Sequence, residues 1–146
     1  MPFRFRLDAV LRFREGVEHT EEAALHRIVQ EIGEVDLEIR QVDMKQIRLR
    51  EQRDRDLART LPAVHLMEIA EREVELKKVA EALLFRLQQL ETQRLKQLAI
   101  YQTAHQDREV LSELRDQQRR AYQLDQRRLD QKMLDDLFLT RGKKSD

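Results

Sequence analysis

The chain has 146 residues, enough for one ordinary domain, but 40% hydrophobic content, 5% aromatic content and no Trp leave little material for a globular core. Its 28 basic and 28 acidic side chains cancel, so no overall field draws it to nucleic acid or an anionic membrane, and partner choice must come from local patches. The absence of Cys excludes disulfides, thiolate metal sites and thiol nucleophiles, and is compatible with a reducing cytosol.

Charged residues make up 38% of the chain against 3 Gly and 2 Pro, the balance of long helices and not of sheets or disorder. The opening Met1-Pro2-Phe3-Arg4-Phe5-Arg6 alternates charged with apolar residues and lacks the continuous apolar stretch of a signal peptide, so a cytoplasmic location is expected. From Leu25 the apolar residues fall at Ile28, Ile32, Val35, Ile39 and Val42, alternating steps of three and four that define a heptad seam at positions a and d. Continued through Gln46 and Leu49, that register meets Arg53 and Asp56 and turns polar. Thr60-Leu61-Pro62 then ends the helix, because the residue before Pro is pushed out of the helical region while Pro suits the first turn of a new one.

The second half resumes at Leu66 and Ile69 and continues through Leu76, Ala80, Leu83, Leu87, Leu90, Arg94 and Leu98 to Tyr101. Between 102 and 128, Val110, Leu111, Leu114, Ala121 and Tyr122 fit no single unbroken heptad frame. The longest apolar runs, such as Ala82 to Phe85, fall far short of the roughly 20 residues that span a bilayer, so no membrane insertion is expected. These patterns predict an all-α fold: an elongated, antiparallel two-helix coiled-coil hairpin forming a single unit over 1–146, with helix 1 at about 5–58, a turn near 59–63 and helix 2 at about 63–140. At about 1.5 Å per residue, the second helix runs on the order of 110 Å against roughly 80 Å for the first, so it must overhang. Folding back at residue 61 sets Ile32 near Leu90 and Ile39 near Leu83. A parallel homodimer of one continuous helix is the competing architecture, at a cost of about 3 kcal/mol per chain for Pro62 in a helix centre.

No residue pattern points to chemistry. Glu22 and His26 stand at the i, i+4 spacing of a helical metal pair, but two ligands do not make a site, so no metal is expected. Carboxylate neighbours such as Asp135-Asp136 have no concave pocket to shift their pKa values, and the three isolated Gly form no phosphate loop. We therefore expect no enzyme, no catalytic residue and no cofactor. The basic pairs Arg119-Arg120 and Arg127-Arg128 are interspersed with Asp116, Asp125 and Asp130, which argues against a nucleic-acid stripe. Two features ask for a protein partner instead. Phe3, Phe5, Leu7, Val10, Leu11 and Phe13 open the chain, and Leu129, Met133, Leu134, Leu137 and Phe138 decorate an end with no intramolecular partner. Met44 and Ile47 fall at f and b of the heptad read from Leu25, pointing away from the seam.

Phe3-Arg4-Phe5-Arg6-Leu7-Asp8-Ala9-Val10-Leu11-Arg12-Phe13-Arg14 and Arg128-Leu129-Asp130-Gln131-Lys132-Met133-Leu134-Asp135-Asp136-Leu137 resemble the opening and closing segments of the flagellar export protein family FliJ. The resemblance implies a stalk similar to the central stalk of rotary ATPases. Its open end would enter a hexameric FliI-like export ATPase, and its hairpin body would meet an FlhA-like export gate at the cytoplasmic face of the inner membrane. Carried over by position, Phe3, Phe5, Leu7, Leu11, Arg128, Asp130, Lys132 and Asp135 become candidates for the ATPase contact, and Met44, Ile47, Leu76 and Val79 for the gate contact. The chain departs from relatives with aromatic residues in the latter region, having none between Phe13 and Phe85. An escort for export chaperones, the stalk of a virulence-type secretion system, or a generic coiled-coil scaffold are the alternatives.

Overall fold

The computed structural model describes residues 1–144, with side chains as far as residue 142. Two helices, α1 (Asp8–Ala58) and α2 (Ala63–Lys144), account for nearly all of them, and the described residues contain no strand. The fold is an all-α helical hairpin, as the heptad pattern and Pro62 predict. Contacts divide the chain into two units: residues 21–101, and Met1–Thr20 together with the chain from Gln102 onward.

In the unit of residues 21–101, half-buried or buried positions follow the predicted seam through Ile28, Ile32, Val35, Ile39, Val42, Gln46 and Leu49 on α1. On α2 they recur at Ile69, Glu73, Leu76, Ala80, Leu83, Leu87, Leu90, Arg94 and Gln97. Each side chain fully removed from water here stabilises the pairing by about 1.5–3 kcal/mol, and Ile69 and Leu90 are the most completely covered. The seam does not stop where its residues become polar. Asp56 is buried at the next d position, and its Oδ2 lies 3.0 Å from His65 Nε2. Arg53 Nη1 lies 3.1 Å from both carboxylate oxygens of Glu73. Polar partners thus extend the pairing down to the turn.

The turn itself is built by two residue-specific devices. Thr60 takes a left-handed conformation, φ 56°, which reverses the chain after the Arg59 N–H has bonded to the Asp56 carbonyl at 3.2 Å. Pro62 lacks an N–H, and its carbonyl accepts the first α2 bond from His65 N–H at 3.0 Å.

In the other unit, the chain enters α1 through a turn in which Asp8 N–H bonds to the Phe5 carbonyl at 3.1 Å. Phe5, Leu11 and Ala104 form its apolar core. Along α2 the seam spacing continues through Ala104, Arg108, Leu111 and Arg115, all buried or half-buried. A single heptad frame therefore does cover the start of the stretch that looked frameless in sequence. All its positions but Leu111 carry small or cationic side chains, while Val110, the apolar residue that disturbed the pattern, faces solvent.

Candidate protein-interaction surfaces

Two surfaces answer to the sequence candidates, one in each unit. In the unit containing both chain ends, Phe5 and Leu11 are buried, so their side chains are already committed to intramolecular packing and are not available as contact residues. That corrects the expectation for these two. Phe5 is turned inward, while Leu7, two residues on in the turn that leads into α1, stays exposed, and Phe3, half-buried, lies against α2 with its ring 5.7 Å from that of Tyr122 and 5.7 Å from the Arg119 guanidinium carbon. Arg4, Asp8, Arg115 and Arg119 surround Phe3 and Phe5, so the surface at this point is cationic with an aromatic floor.

A polar lock closes the same unit further along. Glu18 Oε2 accepts from Arg108 Nε at 2.6 Å and Glu18 Oε1 stands 3.6 Å from His105 Nδ1, while Arg14 Nη1 lies 3.3 Å from Asp107 Oδ2. Both Glu18 and Arg108 are largely covered, and the hydrogen bond from Arg108 holds the Glu18 carboxyl below the usual carboxylate range, while that same bond raises Arg108.

Beyond Gln126 every described residue through 142 is exposed. Leu129, Met133 and Leu137 recur every four residues, flanked by Leu134 and Phe138, and Phe138 is 80% exposed. This is an amphipathic face without a cover. Arg128, Asp130, Lys132 and Asp135 share these turns and are all exposed, with Asp135 accepting a bond from the Gln131 amide at 3.2 Å.

The candidates in the hairpin of residues 21–101 separate into two pairs. Leu76 is a seam residue, half-buried, and with Val79, Leu49 and the Lys45, Arg48 and Arg72 side chains it lines a shallow groove between α1 and α2. Met44 and Ile47 do not line that groove; they sit on the outer face of α1, 55% and 52% exposed. Sequence reading missed the groove's cationic rim, which becomes visible only once Arg72 of α2 is set beside Lys45 and Arg48 of α1. Among the described residues no group of three or more His, Asp or Glu side chains is placed to hold a metal ion, and no helix is long and apolar enough to cross a membrane.

The model of the flagellar FliJ protein family matches residues 3–145, nearly the whole chain. The chain belongs to the FliJ family. Membership makes it a component of the flagellar export apparatus, and the helical hairpin is the form in which its seam residues can be satisfied within one chain. No curated protein and no solved structure matches it.

Proposed function

We propose that this FliJ-family chain acts as the stalk of the export ATPase, one hairpin that binds a FliI-like hexameric ring and couples it to an FlhA-like export gate at the cytoplasmic face of the inner membrane. The observation that carries the reading is the bare helical face at residues 127–142, where six large apolar side chains, Leu139 among them, stand in water on a helix that is already formed. Phe3, Leu7, Arg128, Asp130, Lys132 and Asp135 are the residues left to make the ATPase contact once Phe5 and Leu11 are assigned to the core. Leu76 and Val79 in the groove, and Met44 and Ile47 on the outer face of α1, are the gate candidates.

Such a stalk needs no chemistry of its own. It promotes ring assembly and biases subunit cycling by binding one ring state better than others, since only differential affinity shifts an equilibrium. The test is substoichiometric addition of the chain to its cognate ATPase, with light scattering and phosphate release followed in one sample. Ring formation and turnover both rise under this reading, and removal of residues 128–146 abolishes the rise while α1 and the paired part of α2 stay helical. Unchanged stimulation by the truncated chain sinks the assignment. Binding to export chaperones without the ATPase would favour the escort role instead.

A further inference from the structure

The outer face of α1 carries a pattern that its seam does not explain. Gly33, Leu37, Arg40, Met44 and Ile47 follow one another at steps of four, three, four and three, at positions b and f of the same heptads whose a and d positions form the seam. Leu37, Met44 and Ile47 are each more than half exposed, which makes this a second, shorter apolar stripe turned away from α2. Its charges are segregated. Glu34 and Asp36 precede Arg40, whereas Arg48 and Arg50 follow it, with Asp43 the one acid between; Glu31 is already bonded to Arg86 of α2, and Lys45 turns to the groove.

A stripe with an acidic half and a basic half is complementary to itself when reversed. Laid antiparallel against a second copy about an axis just past Arg40, like heptad positions become nearest neighbours: Leu37 of one chain and Met44 of the other, Gly33 and Ile47, and Glu34 and Arg48. Gly33 has open space where a Cβ would stand, so it leaves room for the facing Ile47. Neither Glu34 nor Arg48 has an ion-pair partner among the described residues. We propose that this face is an isologous docking surface for a second copy of the chain, an antiparallel α1-to-α1 contact centred on Arg40.

The pairing is weak by construction. Three half-exposed apolar side chains per copy belong to the small, transient class of interface, below about 1,200 Å² in total. At the axis two Arg40 guanidinium groups meet the carboxylates of Asp36 and Asp43 from both copies, an acidic excess that opposes tight association. A dissociation constant on the order of 10⁻⁵ M is the scale to look for. The contact covers Met44 and Ile47, so a paired chain withholds that part of its surface from any other partner.

Sedimentation equilibrium of the full chain from micromolar to near-millimolar concentration tests the proposal, with helicity checked by circular dichroism for each variant. The expected result is a monomer–dimer equilibrium that tightens at low salt and that Met44→Glu weakens at least about tenfold. Glu34→Arg and Arg48→Glu each weaken it alone, because each sets like charges across the axis. An equimolar mixture of the two single variants restores association, since both pairs between positions 34 and 48 are then opposite in sign. A chain that stays monomeric throughout, a dimer indifferent to Met44→Glu, or a mixture that fails to associate overturns the proposal.

Discussion

In the hairpin of residues 21–101 the facing positions of α1 and α2 are filled mainly by aliphatic side chains, from Leu25 to Leu49 and from Ile69 to Leu90. In the pairing of Met1–Thr20 with the chain from Gln102 onward, the same spacing is held by Ala104, Arg108, Leu111 and Arg115, and closed by Glu18. One geometry therefore runs on two chemistries. The aliphatic seam draws on area removed from water and is indifferent to small changes of partner, so long as size is kept. The mixed seam depends on particular donors meeting particular acceptors, which fixes which residues face each other but makes the contact sensitive to pH and to single-atom changes.

The comparison is broken most forcefully in the aliphatic half. Leu90→Ala removes a side chain with no exposed surface and is expected to destabilise the fold by about 2–5 kcal/mol in urea or thermal unfolding. Next in size, Glu18→Gln leaves the half-buried Arg108 without its charged acceptor and is expected to cost about 1–2 kcal/mol. Because folding depresses the Glu18 pKa, its contribution is fully present above the ordinary carboxylate range and is lost as pH falls through and below that range. Stability followed from neutral to acid pH should accordingly fall less in Glu18→Gln than in the parent, whereas Leu90→Ala should leave the shape of that profile unaltered. A parent profile no steeper than that of Glu18→Gln would remove the ion pair from the account.

Smaller effects sharpen the same contrast. Thr60 is β-branched and left-handed, a conformation that costs an L-residue about 1–2 kcal/mol, against about 0.5–1 kcal/mol of extra unfolded-chain freedom that Gly brings. Thr60→Gly is thus expected to stabilise the hairpin by roughly 0.5–1 kcal/mol, read as a higher melting temperature. At the far end of the scale, Phe138→Ala should change stability by less than about 0.5 kcal/mol, since that ring is already in water; a larger loss would mean that the terminal turns have an intramolecular cover after all.

The two chemistries also explain how much could be read from sequence. Aliphatic periodicity located the seam from Leu25 to Val42 and from Leu66 to Tyr101, and Pro62 located the turn. Periodicity failed where Ala104, Arg108 and Arg115 occupy seam positions while Val110 points outward, because a hydrophobic count cannot see a frame held by polar and small residues. At the candidate contacts, exposure of Met44, Ile47 and the terminal turns followed from heptad position, but burial of Phe5 and Leu11 did not. The opening turn at Phe5–Asp8 and the covering α2 side chains decide it, and neither is encoded in a local pattern. Arg53 and Asp56 look like the end of a seam in sequence; their partners Glu73 and His65 lie on the other helix and appear only once the chain has folded back.

The uncovered turns of α2 are continuous with its paired ones, with no Gly or Pro between Ala63 and Arg141 to interrupt the backbone ladder. Starting a helix is the unfavourable step; lengthening one is nearly neutral. Residues 127–142 therefore borrow their order from the turns that precede them, and as a detached peptide they would be largely coil. A protein that closes around them meets a ready-made surface and is spared the ordering entropy that a disordered tail would charge. Amide exchange should run as a gradient, fastest at the C-terminal turns and slowing towards Tyr122, and binding of a partner should flatten it.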